Sequence, residues 1–160
     1  MKTRSLILLL VVLVVLLAPF TGCPRISDLE IPMIMGPKAS DEDQILTILD
    51  DVQRGVESKR IYKVLAHVSR NYYDQEGRDY IAIQAYLNQL FKEYRDIRIM
   101  RTRPRVVIEG ARARAFETFG TQAKPVNPVS GRPIDVQGRV TVFLEKTGGT
   151  WQIVEWGPIQ

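Results

Sequence analysis

The chain has 160 residues, of which 45% are apolar and 25% charged, a composition typical of a globular domain rather than a disordered or fibrous protein. Its single cysteine, Cys23, excludes an intramolecular disulfide and a metal site built on several cysteines. Basic residues number 22 and acidic residues 18, so the formal net charge is only +4, and we expect no nucleic-acid partner.

The chain begins with a pattern typical of an exported protein. Lys2 and Arg4 precede an unbroken apolar run, Leu6–Ala18, which as a helix would reach only ~20 Å across a ~30 Å hydrocarbon core. The residues Phe20–Cys23 resemble the bacterial lipobox, although that motif normally prefers leucine where Phe20 stands. We therefore predict a lipoprotein signal peptide at residues 1–22 and lipidation of Cys23. An uncleaved membrane anchor, or ordinary cleavage near Ala18, is the alternative.

Each of these alternatives places the rest of the chain outside the cytoplasm. Lipid on Cys23 would make a bacterial membrane the first partner of the protein. Pro24 rather than aspartate follows the cysteine. By analogy with bacterial sorting rules, this favours the periplasmic face of an outer membrane where the host has one.

Residues 23–39 are predicted to be a tether. The stretch 24–39 contains three prolines and Gly36 and shows neither helical nor strand periodicity. Ile31, Met33, Ile34 and Met35 are more apolar than a free linker needs, so they could pack on the domain or lie against lipid.

Residues 40–160 are predicted to form the folded domain, which begins with a helix ending near Lys59. Ser40 is a suitable N-cap, and the acidic side chains that follow it suit the helix dipole. Apolar residues then recur at helical spacing, at Ile45, Leu49, Val52 and Val56, with Ile48 on their flank.

Two further helices are predicted after this one. A short helix takes its apolar residues from Ile61 to Val68, and Asp79 is a plausible cap for the third. The buried face of the third helix is predicted to contain Tyr80, Ile83, Leu87, Leu90, Phe91 and Tyr94.

From Ile97 onward, β-branched residues and alternating polarity predict strands. Pro104 interrupts the first of them, and Glu109-Gly110 is predicted to be a hairpin turn. The later predicted strands span Ala111–Ala123, Val136–Lys146 and Trp151–Trp156, with a proline-containing loop before the second of these and a Gly-Gly turn before the third. Helices followed by antiparallel hairpins indicate an α+β fold in which the helices pack on one face of a curved sheet.

This order of elements resembles the nuclear transport factor 2-like superfamily, which includes ketosteroid isomerase, scytalone dehydratase and polyketide cyclases. The most telling segments are Leu65–Tyr72, which leads into Asp74 and Gly77, and the closing Trp151–Trp156. The resemblance covers about Asp41–Gly157. It implies a cone-shaped domain, with three N-terminal helices packed on a curved antiparallel sheet and an apolar pocket at the open end.

The resemblance also raises the question of catalysis. In the isomerase branch an aspartate abstracts a proton while a tyrosine and a protonated aspartate stabilise the enolate. This chain offers Tyr72, Tyr73 and Asp74, but its first helix has no tyrosine on the apolar face. No central strand offers an inward-facing aspartate, and the inward positions beside Glu117 are left open. Asp74 is expected to point to water and keep an ordinary pKa. We therefore predict no catalytic residues.

The predicted ligand-binding residues are mostly aromatic. His67 is the only histidine, so the usual zinc ligand set cannot be built, and neither a metal nor a cofactor is predicted. A local hydrogen bond on a helix face is the alternative role for His67, and core packing is the alternative for the aromatic residues. The pocket candidates are His67, Tyr72, Tyr73, Phe91, Phe119 and Trp156.

A cluster of arginines in the strand region could form a basic patch. The candidates are Arg101, Arg103 and Arg105, expected on one strand face, and Arg112 and Arg114, expected opposite them across the hairpin. Guanidinium groups pair bidentately with phosphates and carboxylates of the cell envelope. The alternative is a solvated outer sheet face, through which a homodimer could also form.

These patterns favour a membrane-tethered, non-catalytic module that binds a small apolar ligand or takes part in assembly. The first alternative is an isomerase, dehydratase or cyclase acting on a small apolar substrate. The second is a structural domain that binds another protein of the cell envelope. An ionisable group with a shifted pKa inside the pocket would favour the enzyme.

Overall fold

The computed structural model describes residues 39–160. The predicted signal peptide, the lipidation site Cys23 and all of the predicted tether except Ala39 lie outside these residues. Three helices come first in the described part and five strands follow. No helix between residues 39 and 160 is long and apolar enough to cross a membrane.

Helix α1, Asp41–Glu57, begins and packs as its sequence predicts. The Ser40 hydroxyl accepts a hydrogen bond from the Asp43 backbone N–H at 3.1 Å. Ile45, Ile48 and Leu49 are buried. Gly55 is also buried. A side chain at this position would meet a methyl group of Val64 at only 2.8 Å. The glycine lowers the helix propensity, but its lack of a side chain permits the close approach of the next helix.

Helix α2, Ile61–Leu65, is a short turn that contributes Val64 to the core. Helix α3, Tyr80–Glu93, is capped by Asp79, whose carboxylate accepts a hydrogen bond from the Ala82 N–H at 2.8 Å. Its buried side chains are Tyr80, Ile83 and Leu87. Leu90, Phe91 and Tyr94, which were predicted on the same face, are only partly buried.

The strands form one antiparallel sheet. They are β1 (Tyr94–Arg101), β2 (Arg105–Glu109), β3 (Arg112–Pro125), β4 (Ile134–Thr147) and β5 (Thr150–Trp156). Both β1 and β2 pair with β3, which pairs with β4, and β4 pairs with β5. The predicted interruption at Pro104 is confirmed, since that residue lies between β1 and β2. Strand β1 begins three residues earlier than predicted and contains an irregularity between Arg95 and Arg98.

A bulge in β5 explains the spacing of its aromatic residues. Ile153 lies opposite Leu144 and Trp156 opposite Val142, and the register shifts between these two pairs. One additional residue in β5 therefore brings Trp156 to the same face as Trp151 and Ile153. Without it, the alternation of the strand would turn Trp156 away from that face.

The chain after β5 continues alongside β4. The Gly157 N–H donates to the Thr141 carbonyl at 2.9 Å, and Arg139 and Gln160 exchange backbone hydrogen bonds of 3.1 and 3.0 Å. The strongly curled sheet and the helices share one core. Its fully buried large side chains are Ile45, Val64, Tyr72, Val142, Leu144, Trp151 and Ile153. The predicted α+β cone is confirmed.

Candidate functional site

A cavity of about 460 Å³ lies between the helices and the curled sheet. Strand β3 contributes Glu117, Phe119 and Thr121, which alternate with outward-facing residues. The apolar and aromatic lining consists of Leu49, Val52, Val56, Val64, Tyr72, Ile83, Tyr86, Leu87, Ile99, Phe119, Val140, Trp156 and Ile159. The polar lining side chains are Gln53, Glu76, Arg78, Arg101, Glu117 and Thr121. The cavity is thus an apolar space with polar groups concentrated at a few points.

One polar cluster is centred on Arg101, at the end of β1. Its Nε donates to Gln53 Oε1 at 2.6 Å, and its Nη1 lies 3.4 Å from Glu117 Oε1. Its Nη2 contacts the Asp50 carboxylate. The side chains of Arg101 and Glu117 are only 9% and 10% exposed, whereas Asp50 is mostly exposed. Helix α1, β1 and β3 therefore meet at this guanidinium.

Glu117 is an unusual carboxylate because it is buried beside apolar side chains. Burial raises its pKa above the ordinary value of 4.5, the nearby Asp50 raises it further, and the charge of Arg101 opposes the rise without cancelling it. The alternation that places Ala113 and Ala115 inward continues to Glu117. That alternation was the sequence signal that could have identified Glu117 as an inward-facing residue.

A second polar cluster surrounds Asp74. The Tyr72 hydroxyl donates to Asp74 Oδ2 at 2.9 Å, and Arg78 Nε donates to the same oxygen at 2.8 Å. Asp74 Oδ1 accepts from the backbone N–H groups of Glu76 and Arg78 at 3.0 and 2.9 Å. This carboxylate therefore receives four hydrogen bonds although the residue is only 2% exposed.

The expectation that Asp74 points to water with an ordinary pKa is wrong. Burial alone would raise its pKa, but the backbone and side-chain hydrogen bonds from Arg78, together with the Tyr72 hydroxyl, hold it below 3.8. Burial and the neighbouring Asp74 carboxylate raise the pKa of Tyr72 well above its usual range. The turn after Tyr73 folds back on itself, so its backbone donors and Arg78 enclose the carboxylate instead of exposing it.

The structure brings three of the six pocket candidates together. Tyr72, Phe119 and Trp156 line the cavity, and the rings of Tyr72 and Trp156 lie 5.8 Å apart between centroids. The other three lie outside the lining. His67 Nε2 is 3.4 Å from an Asp51 carboxylate oxygen, Tyr73 is 64% exposed, and Phe91 is partly buried with its carbonyl bound by Lys59. Between residues 39 and 160, no three histidine, cysteine or acidic side chains are grouped to hold a metal ion.

The five arginine candidates lie in different environments. Arg101 departs from the expected shared strand face, because β1 ends there and its side chain lines the cavity. Arg103 and Arg105 are exposed, but Arg103 lies between β1 and β2 rather than on a strand. The expectation that Arg112 and Arg114 lie opposite them is wrong, because the register places these two opposite Glu109 and Val107. Arg112 pairs with Glu145 at 3.1 Å, and Arg114 with Glu109 at 2.6 Å. Exposed pairs of this kind add little stability.

Sequence comparison and structure comparison give different results. No protein-family model and no curated protein matches the sequence. Among solved structures, a protein from Novosphingobium aromaticivorans with a provisional assignment as a scytalone dehydratase has a TM-score of 0.63 at 10% identity. The match covers 71% of this chain and 79% of that one.

Two other solved structures give similar values. A nuclear transport factor 2-like superfamily protein from Salmonella enterica serovar Typhimurium has a TM-score of 0.60 at 16% identity, covering 72% of this chain and 87% of that one. A hexachlorocyclohexane dehydrochlorinase, LinA type 2, has a TM-score of 0.61 at 12% identity, covering 71% and 80%. The chain therefore has the nuclear transport factor 2-like fold.

Proposed function

We propose that residues 40–160 form a non-catalytic binding module for a small, mainly apolar ligand. The observation that carries this proposal is the cavity of about 460 Å³. Its volume falls within the ~300–1,000 Å³ typical of small-molecule sites, and a few polar groups among apolar walls are equally typical. A purely structural domain would have no need of such a cavity.

The candidate bases already have hydrogen-bond or ion-pair partners, which supports ligand binding rather than proton transfer. Asp74 already accepts four hydrogen bonds, and its lowered pKa makes it a weak base. His67 lies beside Asp51 outside the cavity lining. The Tyr72 hydroxyl donates to Asp74, so it is not free to stabilise a developing oxyanion.

One observation favours an enzyme as the second candidate. Glu117 is a buried cavity carboxylate with a raised pKa, which is a common property of general bases. Two of the similar structures also carry the names of a dehydratase and a dehydrochlorinase. An enzyme would turn over small ketones or hydroxy-ketones, and Glu117→Gln would abolish that turnover while Glu145→Gln, on the outer sheet face, would not. We expect no turnover in either variant or in the wild type.

Ligand binding can be tested with a neutral fluorescent probe, N-phenyl-1-naphthylamine, on the mature chain. We expect saturable 1:1 binding that Thr121→Trp, which fills the cavity, weakens at least about ten-fold. Thr118→Trp is the matched control, because Thr118 is an exposed threonine of the same strand outside the cavity lining. An absence of saturable binding, or equal effects of the two substitutions, would contradict the proposal.

We also propose that lipid on Cys23 tethers this module to a bacterial membrane outside the cytoplasm. The charged start, the short apolar run and the Phe20–Cys23 ending support this location. The residue after the cysteine, Pro24, favours the outer membrane where the host has one. A tether of about sixteen residues, 24–39, could extend at most ~55 Å, so the cavity would remain close to the lipid surface.

A further inference from the structure

We infer that the cavity selects an apolar ligand that carries a protonated amine, and that Glu117 receives this amine. The inference rests on the proposed function, because it assumes that the cavity binds a ligand. It adds the chemical class of that ligand. The contacts of the two arginines in the lining and those of Glu117 lead to this conclusion.

Each arginine of the lining is already held by two carboxylates. Arg101 contacts Asp50 and Glu117, and Arg78 contacts Asp74 at 2.8 Å and Glu76 at 2.6 Å. The two clusters therefore contain twice as many acidic as basic groups, although the whole chain carries a net charge of +4. Two of these four carboxylates, Glu76 and Glu117, line the cavity, and the charges of both arginines are already balanced, so the clusters favour a cationic ligand over an anionic one.

Glu117 has unused capacity to accept hydrogen bonds. Its one hydrogen bond within residues 39–160 is the 3.4 Å contact from Arg101 to Oε1, which is long for a charge-assisted pair. The side chain is only 10% exposed and forms part of the cavity wall. A donor on the ligand would supply the short charge-assisted hydrogen bond that this partly buried carboxylate lacks from the protein.

A ligand carboxylate would bind less favourably than an amine beside Arg101 and Glu117. The Nε, Nη1 and Nη2 atoms of Arg101 each have an acceptor, in Gln53, Glu117 and Asp50, so at most two of its five N–H groups remain for an incoming anion. It would then lie beside the carboxylate of Glu117, and two like charges at short distance in a buried site repel strongly. The arginine therefore organises Glu117, and two carboxylates already balance its charge, which makes it a poor receptor for an anion.

Four naphthalenes with the same apolar body test this inference by isothermal titration calorimetry of the mature chain. They are 2-naphthylmethylamine, 2-naphthalenemethanol, 2-methylnaphthalene and 2-naphthoic acid. We expect the amine to bind at least about ten-fold more tightly than 2-methylnaphthalene, as a charge-assisted hydrogen bond predicts. The alcohol should be intermediate and the acid weakest. If the acid binds as tightly as the amine, or tighter, the inference is wrong.

Variants locate the preference within the cavity. Glu117→Gln should remove most of the advantage of the amine and leave the affinity for 2-methylnaphthalene within about three-fold. Asp50→Asn should reduce the advantage less, because Asp50 is largely exposed. Glu145→Gln, an exposed carboxylate paired with Arg112, is the control and should change nothing. An amine preference that survives Glu117→Gln would refute the role of Glu117.

The outcomes also separate this inference from the proposed function. If none of the four naphthalenes binds, the cavity is not a ligand site and both proposals are wrong. If 2-methylnaphthalene binds and the amine binds no better, only the inference about the amine is wrong. Should Glu117→Gln fail to fold, the order of the four affinities in the wild type still decides whether the amine is preferred.

Discussion

Replacing Asp74 by asparagine tests whether the cluster around this residue holds the domain together. The asparagine oxygen can still accept the two backbone N–H groups of the turn. Its amide nitrogen, however, would face Arg78 Nε, which is also a donor, and the acceptor for the Tyr72 hydroxyl would be lost. The substitution therefore leaves the buried Tyr72 hydroxyl and the partly exposed Arg78 guanidinium without the carboxylate oxygen that accepts from both.

The expected loss of stability follows from these contacts. Hydrogen bonds to charged groups contribute about 1.5–3 kcal/mol each, and breaking a buried ion pair costs about 3–5 kcal/mol. The Arg78 side chain is 30% exposed and keeps its contact with Glu76, which lowers the cost. We therefore expect Asp74→Asn to reduce the free energy of unfolding by about 3 kcal/mol at pH 7.

Urea denaturation, monitored by tryptophan fluorescence, measures this loss, because Trp156 packs against Tyr72. The control is Asp51→Asn, an aspartate whose own side chain is 33% exposed, whereas that of Asp74 is only 1% exposed. We expect a change of at most about 1 kcal/mol there. A loss below about 1 kcal/mol for Asp74→Asn would refute the reasoning.

The pH dependence of stability has a definite sign at Asp74. Its pKa is lower in the folded state than the ordinary 3.8, so the folded chain holds the unprotonated form more strongly. The stabilisation is fully present above the unfolded pKa and is lost as the pH falls through the folded pKa. The difference in stability between the wild type and Asp74→Asn should therefore shrink below about pH 4.

Three other expectations concern Glu117, Cys23 and the tether. Because the folded pKa of Glu117 is raised above 4.5, the wild type should lose stability as the pH rises above that value, and Glu117→Gln should remove this loss in urea titrations. Equal pH slopes for the two proteins would contradict the burial of the carboxylate. Labelling cells with a fatty-acid analogue should tag the wild type but not Cys23→Ser, and equal label would exclude lipidation at this residue. A chain beginning at Ser40 should unfold within about 2 kcal/mol of one beginning at Pro24, since a larger loss would mean that apolar tether residues belong to the core.

The helices and most strands could be predicted because their signals are local. The side chains of Ser40 and Asp79 accept hydrogen bonds from the backbone three residues later, as capping residues do, and the apolar residues after each cap follow the helical period. Strand alternation likewise indicated the buried face of β3 through Ala113 and Ala115. These features depend on neighbours only a few residues away.

The polar clusters depend on distant parts of the chain and could not be predicted in the same way. Arg101 reaches Gln53 and Glu117 only because β1 pairs with β3 and the sheet curls over α1. The burial of Asp74 requires β5, whose Val154 carbonyl accepts from the Tyr73 N–H at 3.0 Å. From the sequence alone, Asp74-Gln75-Glu76-Gly77 looks like an ordinary solvated turn.

The segment after β5 has a consequence for self-association. Strand β5 pairs only with residues 142–147 of β4, so the preceding part of β4 would present unpaired backbone groups to other molecules. Gly157 and Gln160 occupy some of those groups through their bonds to Thr141 and Arg139. A side chain at Gly138 would come within 2.6 Å of Ile159 and push this segment away. The glycine thus helps to keep a sheet edge covered, and replacing it would open a template for intermolecular strand addition and aggregation.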